Sequence, residues 1–79
     1  MSKETRFFIY LLERYAEHLG VMADVAYRRL AECGLVDYAM GMYELYHVEA
    51  LDNAFADLDR RLNNVQAMLH TSNREQNPL

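Results

Sequence analysis

Leu51, Phe55, Leu58, Leu62, Val65 and Leu69 stand 4, 3, 4, 3 and 4 residues apart. That spacing returns apolar side chains to one side of an α-helix for nearly three heptads, whereas a strand would need alternate residues on one face. The pattern predicts one long helix over residues 49–70. The rest of the chain must supply the surface against which its seam is buried. With 79 residues in all, only a few short helices can lie beside it.

Those helices are visible as further apolar stripes, and strand-type alternation is absent. Phe7, Phe8, Leu11, Leu12, Tyr15, Ala16 and Leu19 form a broad stripe over residues 4–19, with Arg6, Tyr10, Glu13, Arg14 and Glu17 on the opposite face. Ser2 or Thr5 can cap its start, and Gly20 can adopt the left-handed conformation that ends it. A second helix is expected over 23–33, with Met22, Ala26, Leu30 and Cys33 inward and Gly34 closing it. Met22 and Ala23 stand where a Ser, Thr or Asp cap would be usual. Asp24 and Arg28, like Asp57 and Arg61, are i,i+4 pairs in the favourable acid-first order.

Residues 35–46 read as a third helix of a different kind. Only Asp37, Gly41 and Glu44 interrupt Leu35, Val36, Tyr38, Ala39, Met40, Met42, Tyr43, Leu45 and Tyr46. A helix apolar over most of its circumference is central in its domain or covered by another chain, and so small a domain can hardly wrap it. Gly41, unfavourable in a helix interior by about 1 kcal/mol, would let a second backbone approach. The expected architecture is all-α: a bundle of four helices (4–19, 23–33, 35–46 and 49–70) in one domain, 1–70, with a disordered polar tail, 71–79. The last turns of the long helix, residues 63–70, can outrun their neighbours and meet a second chain.

Size and composition support self-association. A core this small leaves only about 3–5 kcal/mol of net stability, and small domains add disulfides, metals or partner subunits. The solitary Cys33 excludes an internal disulfide, and no Cys/His cluster suggests zinc. A homodimer is therefore expected, and 52% hydrophobic residues agree with one. The net charge of −4 argues against nucleic acid, which requires clustered Lys and Arg. From residue 34 to 59 the charges are all acidic: Asp37, Glu44, Glu49, Asp52, Asp57 and Asp59. A partner with a basic surface would complement them. No segment is apolar enough to span a bilayer and the N-terminus carries no signal-peptide pattern, so a cytoplasmic location is expected, consistent with the free thiol.

No catalytic constellation emerges, and neither an enzyme nor a cofactor is expected. Cys33 sits at a helix C-terminus, where the dipole raises a thiol pKa. Glu44-x-x-His47 has the spacing of a helical metal-ligand pair, but a di-iron site needs a second such motif and further carboxylates. A small metal- or ligand-binding protein using Glu44 and His47 is thus the alternative to an interaction module. In the leading reading Tyr38, Met42, Tyr43, Tyr46 and His47 form the partner-binding face, because tyrosine suits half-buried interfaces and methionine adapts to them.

Phe7-Phe8-Ile9-Tyr10 with Tyr15-Ala16, Gly34-Leu35-Val36-Asp37-Tyr38, Tyr43-x-x-Tyr46-His47 and the closing Asp57-Leu58-Asp59 resemble a family of short bacterial proteins, domain of unknown function 3791. The likeness covers residues 4–62. The family has no assigned activity, so the resemblance carries over no catalytic residues. It implies a bacterial origin and a gene neighbourhood shared with ADP-ribosyltransferase-like, toxin-type proteins, hence an antitoxin-like partner role. The chain departs from the family in its uncapped Met22–Ala23 junction and in a last helix that continues past Leu62.

Overall fold

Ser2 opens the first helix. Its extended backbone and its hydroxyl, which accepts from the Thr5 N–H at 3.1 Å, satisfy one of the donors that a helix start leaves free. In the computed structural model, which describes the backbone of residues 1–76 and the side chains of residues 1–68, this helix is α1, Lys3–Leu19. It is followed by α2 (Ala23–Glu32), α3 (Val36–Gly41), α4 (Tyr43–Tyr46) and α5 (Leu51–Gln76). No strand occurs among the described residues. The all-α bundle expected from the apolar spacing is present. α5 runs on to Gln76, beyond the end expected at 70 and into the tail expected over 71–79, of which residues 77–79 lie outside the described residues.

Two glycines make the turns, and both do so in the same way. Gly20 has φ 74°, and the following Val21 N–H reaches back to the Ala16 carbonyl at 3.0 Å. Gly34 has φ 69°, and Leu35 N–H reaches the Leu30 carbonyl at 2.8 Å. Each is a Schellman-type closure, in which a left-handed residue lets the chain satisfy the last carbonyls and leave the helix. Met22 precedes α2 without any side-chain cap, as its apolar side chain dictates.

The segment 35–46 departs from the single helix expected. It breaks at Met42 into α3 and α4, joined by a tight turn. Met42 has φ −87° and ψ 11°, and its N–H is shared between the Tyr38 and Ala39 carbonyls. The cause is local and tertiary together. Gly41 is a weak helix former, and the bend allows Tyr38 before it and Tyr46 after it to reach the same carboxylate on α5. No second backbone of the chain approaches Gly41, since a Cβ built there would meet nothing within 4 Å.

The core lies between α1, α2, the short α3 and α4, and the first half of α5. Leu11, Tyr15, Leu30, Tyr46 and Leu58 are its largest fully buried side chains, with Phe8, Leu35, Phe55 and Leu62 around them. Half-buried Phe7, Leu12, Leu19, Cys33, Met40 and Met42 pack on its outside. Truncating Leu11 or Leu58 to alanine in such a core costs about 2–5 kcal/mol, enough to unfold most of a domain this size. The molecule is elongated, 51 × 23 × 23 Å, because α5 is far longer than its neighbours. No helix among the described residues is long and apolar enough to cross a membrane.

Gly34 and Gly41 give opposite expectations. Gly34→Ala forces a side chain into a left-handed conformation and should lower stability by about 1 kcal/mol. Gly41→Ala meets open space and gains helix propensity, so stability should be unchanged or rise by up to about 1 kcal/mol. Urea denaturation of the two variants beside the parent chain checks both signs.

Candidate functional site

Asp57, on the face of α5 towards α3 and α4, gathers the densest set of polar contacts in the chain. Its Oδ2 accepts from Tyr38 Oη at 2.6 Å and from Tyr46 Oη. Its Oδ1 accepts from Arg60 at 2.6 Å and from Arg61 Nε at 3.2 Å. A carboxylate offers about four acceptor sites, so this one is saturated. The Arg61 guanidinium also lies over the Tyr38 ring, 3.9 Å from its centroid, a cation–π contact. The Asp57 side chain is only 15% exposed.

Burial alone would raise the Asp57 pKa, but hydrogen bonds from Tyr38 and Tyr46 and the nearby Arg61 charge outweigh it and hold the pKa below the ordinary value. Tyr46 moves the other way. Its hydroxyl is pushed far above 10.0 by burial first, then by donation to Asp57. Tyr38 is raised by the same two causes. A carboxylate with every lone pair engaged is a poor base, and hydroxyls that resist ionisation are poor nucleophiles. The cluster's chemistry is that of a clamp.

A second carboxylate repeats the arrangement two residues, about half a turn, further along α5. Asp59 Oδ1 accepts from Tyr15 Oη at 2.6 Å, and its Oδ2 lies 2.7 Å from His18 Nε2. The His18 ring is stacked on Phe55, 4.8 Å between centroids, and lies beside Tyr15. Tyr15 is raised above its ordinary pKa by burial and then by its bond to Asp59. Beside Asp59 is an open groove of about 320 Å³, lined by Leu19, Arg29, Asp59, Leu62, Asn63 and Gln66.

The third assembly is aromatic and faces outward. Phe7 meets Tyr43 edge-on at 5.6 Å and Tyr10 at 6.3 Å, while Tyr43 and His47 stack in parallel at 4.3 Å. Arg14 extends the line, its guanidinium 5.8 Å from the Tyr10 centroid. Tyr10 is 50% exposed and His47 is exposed, with Phe7 and Tyr43 half-buried between them. Aromatic edges of this kind are worth about 0.5–1.5 kcal/mol each beyond their buried area. They also leave part of each ring open to contact.

The five residues expected on one partner-binding face are thus divided. Tyr38 and Tyr46 converge on Asp57, and Tyr46 is fully buried. Met42 packs on the core. Tyr43 and His47 join Phe7 and Tyr10 in the outward strip. Glu44 and His47 are both exposed, and His47 Nδ1 bonds the Tyr43 carbonyl, as a turn-capping histidine does. No three His, Cys, Asp or Glu side chains gather as metal ligands among the described residues. Sequence spacing gave only the Asp57–Arg61 pair. The roles of Asp59, His18 and Tyr15 depend on contacts 41 and 44 residues apart, which no local pattern carries. Tyr10, expected on the face of α1 opposite Phe7, lies against the Phe7 ring at 6.3 Å, and neither was legible as part of a group with Tyr43.

Residues 6–64 match the family described as "Protein of unknown function (DUF3791)", and the chain belongs to it. The expected family is therefore correct, and every residue of the two carboxylate clamps and the aromatic strip lies inside the matched span. No curated protein and no solved structure matches the chain.

Stability should depend on pH at both ends. Because the folded Asp57 pKa is depressed, its contribution is full above its ordinary value of 3.8 and is lost as pH falls through the lower folded value. Because the folded Tyr15 and Tyr46 pKa values are raised, their contribution is full below 10.0 and fades as pH climbs beyond it. Asp57→Asn should cost about 1.5–3 kcal/mol at neutral pH, the range for charge-assisted hydrogen bonds, and should flatten the acid limb. Tyr46→Phe should cost about 1–2 kcal/mol and soften the alkaline limb. Chemical denaturation from pH 3 to about 11 measures both.

Proposed function

We propose that this domain is a non-catalytic protein–protein interaction module, homo-oligomeric, that docks a partner with a basic surface. The carrying observation is the outward strip of Phe7, Tyr10, Tyr43 and His47. Exposed Ile9 (42%), Leu45 (48%) and Val48 (70%) on the same two stretches of chain add apolar surface. Rigid, half-exposed aromatic rings supply contact area at low cost in conformational entropy, and interface hot spots are rich in them.

The acidic block supports the basic partner. Asp57 and Asp59 are engaged internally, whereas Asp37, Glu44, Glu49 and Asp52 form no ion pair among the described residues. Glu44 lies on α4 between Tyr43 and His47 in sequence, so its charge is beside the strip. A field of this sign steers a cationic surface and does so less as salt rises. An ADP-ribosyltransferase-type toxin, with this domain as its antitoxin, is the partner class suggested by the gene neighbourhood that the family resemblance implies. The cytoplasm of a bacterial cell is the setting this reading assumes.

Tyr10→Ala and Tyr43→Ala should each weaken capture of the partner from the native host about tenfold or more, while far-ultraviolet circular dichroism stays that of the parent chain. Glu44→Gln with Asp52→Asn should lower the association rate and reduce its salt dependence. Loss of helicity in step with loss of capture would make the rings core residues and remove the argument. Met42 is unsuitable as a probe because it packs on the core.

A further inference from the structure

Tyr38 and Tyr10 each carry a guanidinium over the ring, and in both cases a carboxylate holds it there. The Arg61 guanidinium lies 3.9 Å from the Tyr38 centroid, and its Nε is 3.2 Å from Asp57. The Arg14 guanidinium lies 5.8 Å from the Tyr10 centroid and is paired with Glu17 at 3.1 Å. Each trio consists of an aromatic face, a planar cation and a carboxylate one helical turn from that cation. The face attracts the cation through its quadrupole, and the carboxylate fixes where the cation sits.

The stack of Tyr43 and His47 has two of these three parts. Its rings are parallel, 3° between planes and 4.3 Å between centroids, so each covers one face of the other. Phe7 stands nearly perpendicular to both, 5.6 Å from Tyr43 and 6.5 Å from His47. A ring lying on the outer face of His47 would be nearer to His47 than to Tyr43. The order is the reverse, so Phe7 stands beside the stack and leaves that face uncovered. His47 is exposed, and its Nδ1–H donates to the Tyr43 carbonyl, which holds the imidazole in this orientation. Glu44 supplies the carboxylate. It is exposed, three residues before His47 and thus its neighbour on a helical surface, and it forms no ion pair among the described residues.

We propose that the missing part is an arginine side chain of the partner protein, its guanidinium flat on the open face of His47 and its charge met by Glu44. This rests on the reading of the strip as a docking surface and names what that surface takes. Shape and hydration favour arginine over lysine. A guanidinium is planar and weakly hydrated, so it can lie on a ring while its N–H groups reach a carboxylate at the edge; an ammonium is compact and strongly hydrated. The chain's own side chains divide in the same way. Lys3, one turn before Phe7 on α1, makes neither an ion pair nor a cation–π contact among the described residues, whereas Arg14 and Arg61 make both.

The test is titration of the full chain with two amidated hexapeptides, one of arginine and one of lysine, at about pH 8, where an imidazole is uncharged. Equal peptide charge cancels the general attraction of an acidic surface, so the ratio of the two affinities reads the ring. The parent chain should bind the arginine peptide about tenfold more tightly. His47→Ala should bring the ratio to unity. His47→Phe loses the same bond to the Tyr43 carbonyl but keeps a ring, and should retain the preference. Glu44→Gln should weaken both peptides. Equal binding of the two peptides by the parent chain overturns the inference. An arginine preference that survives His47→Ala does so too, as does one that both His47 variants abolish alike, which would leave the histidine a turn cap and nothing more. In each of these cases the docking reading stands as long as Tyr10→Ala and Tyr43→Ala still weaken capture of the host partner. Capture indifferent to both tyrosine variants removes the docking reading, and the inference with it, whatever the peptides do.

Discussion

The Asp57 carboxylate is what allows α3 and α4 to exist as helices in place. Helices of six and four residues are far below the length at which nucleation is repaid by propagation, and neither has a side-chain cap at its N-terminus. Their position is fixed from outside, by Tyr38 and Tyr46 donating to one oxygen of a residue on α5. The other oxygen, held by Arg60 and Arg61, keeps the carboxylate charged and aimed. The arginine contacts are partly solvated and add little alone; the buried tyrosine bonds carry the restraint. Tyr43 and His47 reach Phe7 only because α4 is held at this angle, so the outward strip is a consequence of the clamp.

Much of the fold could be read along the chain. The heptad spacing of α5, the stripe of α1 and the left-handed glycines at 20 and 34 are local signals, and each appears where local physics puts it. The break at Met42 could not be read, although Gly41 is a weak helix former beside it. The apolar run from Leu35 to Tyr46 satisfies a helical period throughout, and the break follows from a tertiary hydrogen bond 11 residues away. Tyrosine is the residue for which sequence pattern is least decisive, because its ring and its hydroxyl obey different rules. Tyr46 and Tyr43 stand three apart in one segment. One is fully buried with its hydroxyl on a carboxylate, and the other lies half-open on the surface.

That division also changes what the acidic block means. Six acids without an intervening base look uniform in sequence, yet they do two kinds of work. Asp57 and Asp59 each accept a hydrogen bond from a core tyrosine and so solve a burial problem: a large ring can enter the core only if its hydroxyl has a partner. Both clamps use the same solution, on one helix, two residues apart. The carboxylates that remain outside, Asp37, Glu44, Glu49 and Asp52, have no such duty. Three of them lie in the first turns of helices, Asp37 in α3, Glu44 in α4 and Asp52 in α5, where the helix dipole favours a negative charge.

The outward surface follows from the same division. Around α1 and α4 the rings of Phe7, Tyr10, Tyr43 and His47 lie against one another. A 79-residue chain has too little interior to hide all of its apolar side chains, and these rings take up part of the excess by covering one another at the surface. Clamp and strip are linked through one short helix, since α4 carries Tyr46 to Asp57 and Tyr43 to Phe7.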